Sequence, residues 1–306
     1  MVLVLLGAAL IAGCSDGSPG ETAPTATATR EPAELTIATT TSLYDTGLLT
    51  GYIAPAFEEK YNVKTKIIYA GTGKALEYGR RGDVDVIMVH DRSREDTFIE
   101  EGYGMDRRVF AYNYFVIVGP ESDPAGIGGM APEEAFTTLM EGGQANSDDV
   151  TFVSRGDDSG THGKEKAIWD AAGYDYEEVR TSGPWYIEAG AGMGPTLVMA
   201  SEKNAYTLSD IGTFLAYRGD LSLVPLVDEG DSLLNMYSAI ITNPAQHPDI
   251  GVTLAKEWVN FLITPGIQEG IAEFGVEDYG RPLFFPARDA WEKLGVPQAE
   301  TQSPVS

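Results

Sequence analysis

Apolar positions along the chain follow two rhythms, and the changes between them mark out the elements. LTIATTT at 35–41 is a short apolar run ending in hydroxyl residues, which predicts a strand that enters a polar loop. GLLTGYIAPAFEEKY at 47–61 brings Leu48, Leu49, Ile53 and Phe57 to helical spacing despite Pro55. VKTKIIYAG at 63–71 predicts a second strand, KALEYGRRG at 74–82 a short helix, and VDVIMVH at 84–90 a third strand. The order β-α-β-α-β predicts a parallel sheet with helices on its faces. The unbroken apolar run VIMV suits a strand buried on both sides.

RVFAYNYFVIVGP at 108–120 is unusually long for one strand and is expected to cross between two lobes. VTFVSRG at 150–156 predicts a strand that again runs into a polar loop. THGKEKAIWDAAG at 161–173 reads as a helix stopped by Gly173, and 194–206 as another helix. Residues 206–218 begin as a strand and turn into a short helix; strands follow at 221–227 and 236–244. In 253–275, Leu254, Trp258, Phe261 and Leu262 share a helical face, with a break at Pro265-Gly266. No internal repeat is present.

The first residues carry a different signal. MVLVLLGAALIAG at 1–13 is apolar but too short to span a bilayer, and it ends in small residues, as a signal peptide does. Ile11-Ala12-Gly13-Cys14 resembles the lipobox of bacterial lipoproteins, in which the peptide is cut before the cysteine and the cysteine is lipidated. One departure is the missing basic segment, since Met1 is followed directly by Val2. Cys14 is the sole cysteine, so an intrachain disulfide is excluded. Residues 14–33 are rich in Ser, Thr, Pro, Gly and Ala and predict a disordered tether between a membrane and a globular body.

Charge narrows the function classes. The 306 residues contain 21 Lys plus Arg against 46 Asp plus Glu, a formal charge of −25. That balance excludes a nucleic-acid binder, which needs a basic footprint. It favours solubility, and it demands local donors if the ligand is an anion. A body of this length divides naturally into two lobes.

Three polar loops supply such donors. Thr39-Thr40-Thr41-Ser42 follows the first strand, with Asp45-Thr46-Gly47 before the next helix. Gly71-Thr72-Gly73 precedes the helix that starts near Lys74. Ser154-Arg155-Gly156-Asp157-Asp158-Ser159-Gly160-Thr161 precedes the third. A helix N-terminus offers unpaired N–H groups and partial positive charge, hydroxyls add donors, and glycine allows close approach. Each loop alone also reads as an ordinary helix cap. Three of them after strands, at the carboxyl ends where open α/β folds bind ligands, predict a shared cleft. Arg155 offers a planar fork that matches two oxygens of a tetrahedral oxyanion, and Asp157 or Asp158 is placed to orient it.

Other chemistry is discounted. GTGK at 71–74 lacks both the upstream glycine and the following hydroxyl of a phosphate-binding loop, since Ile68 and Ala75 stand there. His90, His162 and His247 lie on separate segments without metal-ligand spacing, so no metal is expected. No nucleophile elbow occurs, and Ser, His and Asp crowded in one loop do not make a triad.

TTTSLYDTGLL (39–49), GTGKALEYGRRGDVDVIMVHDRSRED (71–96), YNYFVIVGPESDPAGI (112–127) and SRGDDSGTHGKE (154–165) together resemble the tungstate-binding periplasmic proteins of ABC uptake systems. GPWY (183–186), YTLSDIGTFLAY (206–217) and NMYSAIITNP (235–244) extend the resemblance over 34–290. It implies a class II periplasmic-binding-protein fold: two α/β lobes around a ligand cleft, expected as 34–112 plus 241–295 and 113–240. It implies an oxyanion held by Thr40, Thr41, Ser42, Thr72, Gly73, Ser154, Arg155, Ser159, Gly160 and Thr161, with no cofactor and no catalysis. The implied partners are a membrane permease and, through Cys14, the membrane; the receptor is expected to be an extracytoplasmic monomer. Molybdate, sulfate and phosphate remain open as ligands. An enzyme acting on a phosphorylated metabolite and a sensor that signals to a membrane receptor are the rival classes.

Overall fold

The computed structural model describes residues 33–145 and 149–306; the leader, the tether and Cys14 lie outside the described residues, as does the side chain of Ser42. The strands are β1 (Glu34–Thr40), β2 (Lys64–Ala70), β3 (Val86–Val89), β4 (Gly104–Pro120), β5 (Phe152–Ser154), β6 (Tyr186–Glu188), β7 (Thr207–Asp210), β8 (Leu223–Val227), β9 (Leu234–Thr242) and β10 (Phe285–Pro286). The helices of the first half are α1 (Thr41–Asp45), α2 (Ala54–Tyr61), α3 (Thr72–Arg81), α4 (Arg92–Glu100), α5 (Pro132–Gln144) and α6 (Gly160–Ala171). They continue as α7 (Tyr176–Arg180), α8 (Met193–Glu202), α9 (Ile211–Tyr217), α10 (Val252–Leu262), α11 (Pro265–Glu273), α12 (Val276–Tyr279), α13 (Trp291–Leu294) and α14 (Ala299–Gln302).

β1 pairs in parallel with β2 on one side and β3 on the other. The expected β-α-β-α-β unit is therefore present, and all four residues of β3 are buried. Beyond β3 the sheet turns antiparallel: β9 pairs with β3 and β4, and β10 with β4. The sequence rhythm missed this change, because β9 arrives from the far half of the chain and not through a local crossover helix.

β4 is the long strand anticipated at 108–120. Gly104 to Tyr114 pair with β9, whereas Phe115 to Pro120 pair with β7 and β8. β5 and β6 form a separate parallel pair. Of the two largest apolar clusters, the first runs through both halves, taking in Val116, Val153, Leu197 and Phe214 as well as β1 and α10. It centres on Phe57, Trp258 and Tyr237, with Phe57 and Trp258 edge-on at 4.9 Å. The other packs Phe136, Phe152 and Trp169, with Phe136 and Trp169 at 4.4 Å. The result is an α/β fold with two lobes.

Local chemistry explains the helix boundaries. Pro55 is the second residue of α2, at the point where a π-helical turn over Leu48–Ile53 runs directly into the α-helix. α6 ends at the left-handed Gly173, φ +88°. α10 and α11 divide at Pro265, the first residue of α11. α4 escaped the apolar rhythm because Phe98 is its only buried apolar residue. Its start is marked instead by Asp91, whose carboxylate accepts from Arg94 N–H at 3.2 Å.

Candidate functional site

The carboxyl ends of β1, β2 and β3 lie side by side, since Thr39 is in register with Tyr69 and Met88, and Thr40 with Ala70. The first two polar loops therefore leave one sheet edge together. The third approaches from the other lobe. A Cβ on Gly160 would lie 2.6 Å from His90 Cε1, and one on Gly73 would lie 3.4 Å from Asp158 Oδ2. A Cβ on Gly212 would lie 2.8 Å from Thr46 Cγ2. These contacts bring the start of α3 and the residue after β3 against the loop that opens α6, and the residue after α1 against the start of α9.

Its donors are unusual in having nothing to bond. Thr39 Oγ1, Thr72 Oγ1, Thr161 Oγ1 and Arg155 Nε are all buried without a hydrogen-bond partner in the protein. Buried polar groups are normally satisfied, and each exception costs about 1–3 kcal/mol unless a ligand or solvent meets it. Four of the ten such atoms among the described residues lie in the three loops singled out by the sequence.

The helix starts are closed in different ways. α4, α6, α7 and α9 are capped by side chains of Asp91, Ser159, Asp175 and Asp210. α3 starts after Gly71 with no side-chain cap, although Thr72 is fully buried. α5, α8, α10 and α11 also start without a side-chain cap, so this feature alone does not set α3 apart. At α6, Ser159 Oγ accepts from His162 N–H at 3.2 Å, and Gly160 and Thr161 are buried beside it.

Arg155, only 4% exposed, is held by Asp157 Oδ2, which accepts from Nη2. The Nε beside it is buried and has no partner in the protein. Its charge reaches several neighbours. Asp45 is raised from its ordinary value by burial and by repulsion from Asp210, and Arg155 opposes the rise. Asp210 is raised by burial, against hydrogen bonds from Thr213 and the charge of Arg155. His90 is lowered to about 4, by burial above all, with Arg155 and Lys164 adding to the drop.

The tautomer of His90 follows from its partner. Asn235 Nδ2 donates to Asn113 Oδ1 and to the Tyr237 hydroxyl, so its Oδ1 accepts from His90 Nδ1 at 3.0 Å. The imidazole is neutral with its proton on Nδ1.

The remaining expected residues fall in the same loops. Thr40 Oγ1 accepts from Leu43 N–H at 3.4 Å, and Thr41 opens α1. Ser154 is differently occupied: its hydroxyl donates to Glu165 Oε2 at 2.6 Å and accepts from Gly156 N–H at 3.2 Å. Glu165 also accepts from Trp169 and Tyr186; burial pushes its carboxyl up to about 7 against these three bonds. His162 is buried and accepts from Asp158 N–H through Nδ1 at 3.0 Å.

The residues that sequence reasoning missed here are Thr39, which stands in the first loop but outside the expected donor set, and His90, Asp210, Glu165 and Arg94. With 46 acidic residues in the chain, no single carboxylate stood out. Nor did anything in the sequence tie His90 to Gly160.

Residues 22–265 match the PBP superfamily domain. A Haloferax volcanii protein provisionally named an ABC transporter anion-binding protein is 50% identical over 259 residues, 83% of this chain and 72% of its own. A tungstate-binding protein of Peptoclostridium acidaminophilum is 38% identical over 258 residues, 84% of this chain and 87% of its own. The solved tungstate-binding protein of Desulfovibrio alaskensis superposes with a TM-score of 0.71 at 38% identity, over 83% of this chain and 98% of that one. The chain therefore belongs to the PBP superfamily, as a close relative of the tungstate-binding proteins of ABC transporters.

Proposed function

We propose that this protein is an extracytoplasmic receptor that captures tungstate and hands it to the membrane permease of an ABC transporter. One observation carries the reading: buried, unpartnered Thr39, Thr72, Thr161 and Arg155 sit in the three converging loops. Relatives named as tungstate-binding proteins give that donor set its ligand class. Binding is the whole task; no cofactor takes part and nothing is turned over.

In this reading Arg155 Nε and the three hydroxyls donate to the oxyanion, with the first N–H groups of α3 and α6. Gly73, Ser159 and Gly160 hold those helix starts in place. Thr40, Thr41 and Ser42 shape the first loop. Ser154 supports Arg155 through its bond to Glu165. Closing lobes remove the anion from water, which strengthens each charge-assisted bond. The lobes divide as 34–112 with 241–295 and as 113–240. Cys14 carries the lipid anchor, residues 14–33 form the leash, and the receptor works as a monomer.

Cleft radius separates tungstate and molybdate from the smaller sulfate and phosphate. Calorimetric titration of residues 34–306 with the four anions at constant ionic strength tests the proposal. Tungstate is expected to bind tightest, and failure of all four anions to bind would overturn the receptor reading.

A further inference from the structure

Arg94 lies outside every loop singled out by the sequence, yet it holds one of them. It stands in the first turn of α4, after β3, and reaches the loop between β5 and α6. Its Nη1 donates to the Asp158 carbonyl at 3.1 Å and its Nη2 to Asp158 Oδ1. On the near side Asp91 steadies it: Asp91 Oδ2 lies 3.3 Å from Arg94 Nε, and Oδ1 accepts from Arg94 N–H.

Asp158 is held from several sides. It is in the left-handed region at φ +57°, uncommon for a residue with a side chain. Its N–H donates to His162 Nδ1, so its backbone is gripped from α6 as well as from α4. Immediately before it, Asp157 holds Arg155; immediately after it, Ser159 caps α6. Gly73 completes the contact: a Cβ there would lie 3.4 Å from Asp158 Oδ2 and 3.5 Å from Arg94 Nη1. The bridge thus joins the start of α3, the start of α4 and the loop that presents Arg155.

We infer that Arg94 is a positioning residue that latches the Arg155 loop against the opposite lobe, so that the Arg94–Asp158 bridge sets how long the captured anion stays. The inference rests on the anion-receptor reading. The latch touches no ligand. It acts by keeping Arg155 and the start of α6 against α3, a contact that a departing anion must break, so the inference assigns it to release and not to entry. Arg94 is 29% exposed and Asp158 68%, so the bridge sits at the rim, where salt reaches it.

The test is stopped-flow measurement of tungstate association and release, with calorimetry, on wild type, Arg94→Ala, Arg94→Lys, Asp158→Asn and the double variant Arg94→Ala with Asp158→Asn. Loss of one charged bond to a carbonyl and one exposed ion pair is expected to speed release about five- to twentyfold in Arg94→Ala. Association should stay within about threefold. Asp158→Asn keeps the left-handed backbone and the carbonyl acceptor, so it should fall between wild type and Arg94→Ala. Arg94→Lys should restore part of the loss. The double variant should release little faster than Arg94→Ala, as coupled partners do. Salt at about 0.5 M should speed release from wild type more than from Arg94→Ala.

Unchanged release in both Arg94→Ala and Asp158→Asn, while wild type binds tungstate, would overturn the latch and leave the receptor reading intact. Slower association with unchanged release would also overturn it. Wild type that binds none of the four anions would remove both. The melting temperature of each anion-free variant separates a latch from a fold support: the latch predicts little change.

Discussion

Gly160→Ala isolates the approach of the two lobes. A Cβ at this position would meet His90 Cε1 at 2.6 Å, Nε2 at 3.0 Å and Nδ1 at 3.1 Å. His90 has little room to yield, because it is buried, bonded to Asn235 and packed with its ring centroid 5.0 Å from that of Tyr237. The extra methyl must therefore push α6 away from β3. Overpacking of this kind costs about 1–3 kcal/mol. The cost falls on the arrangement in which the lobes touch, which is the one that holds the anion. That range corresponds to about 5- to 150-fold weaker tungstate binding. The anion-free protein escapes the cost if its lobes part. Gly160 is not among the residues with positive φ, so alanine suits its backbone. Titration calorimetry with tungstate, paired with thermal melting of the anion-free variant, checks both halves. Unchanged affinity would refute the close approach. A fall in anion-free stability as large as the loss of affinity would show that the contact supports the fold rather than closure.

Three further outcomes are expected. Thr161→Val removes a buried hydroxyl that has no partner, so the anion-free melting temperature should hold or rise while tungstate affinity drops about fivefold or more; a fall in both would assign Thr161 to the fold. Glu165→Gln should remove a pH dependence. With its carboxyl raised from an ordinary 4.5 to about 7, Glu165 contributes stability that is complete below 4.5 and lost as pH rises through 7. Unfolding free energies of variant and wild type should therefore diverge in the variant's favour by up to about 3 kcal/mol between pH 4.5 and 8. His90 slopes the opposite way in both proteins and cancels; parallel curves would contradict the buried acid. Finally, the −25 charge repels an incoming anion, so sodium acetate at moderate ionic strength should raise the association rate, as stopped-flow would read, and a monotonic fall would contradict it.

The parts of this site legible in the sequence were those written in local chemistry. An apolar strand ending in Thr39-Thr40, a Gly71-Thr72 step and the Ser154-to-Thr161 loop announce helix starts because hydroxyls and glycines act on the backbone beside them. β1, β2 and β3 were legible for a related reason, since their crossovers are short. What stayed hidden depends on residues far apart in the chain. β9 joins β3 from about 150 residues away, and no periodicity carries that pairing. Asn235 fixes the His90 proton from a separation of 145, and Arg94 reaches Asp158 across 64. Ser154 illustrates the limit most clearly. Its place in the motif suggests a ligand donor, but only the fold reveals Glu165 waiting 11 residues later to take its hydroxyl hydrogen.

The central claim is that Arg155 anchors a donor-lined cleft strong enough to hold an oxyanion inside a chain of charge −25. Titration of Arg155→Ala with tungstate by calorimetry addresses it most directly. A charged hydrogen bond worth about 1.5–3 kcal/mol predicts a loss of affinity of at least about tenfold. Affinity equal to that of wild type would contradict the account.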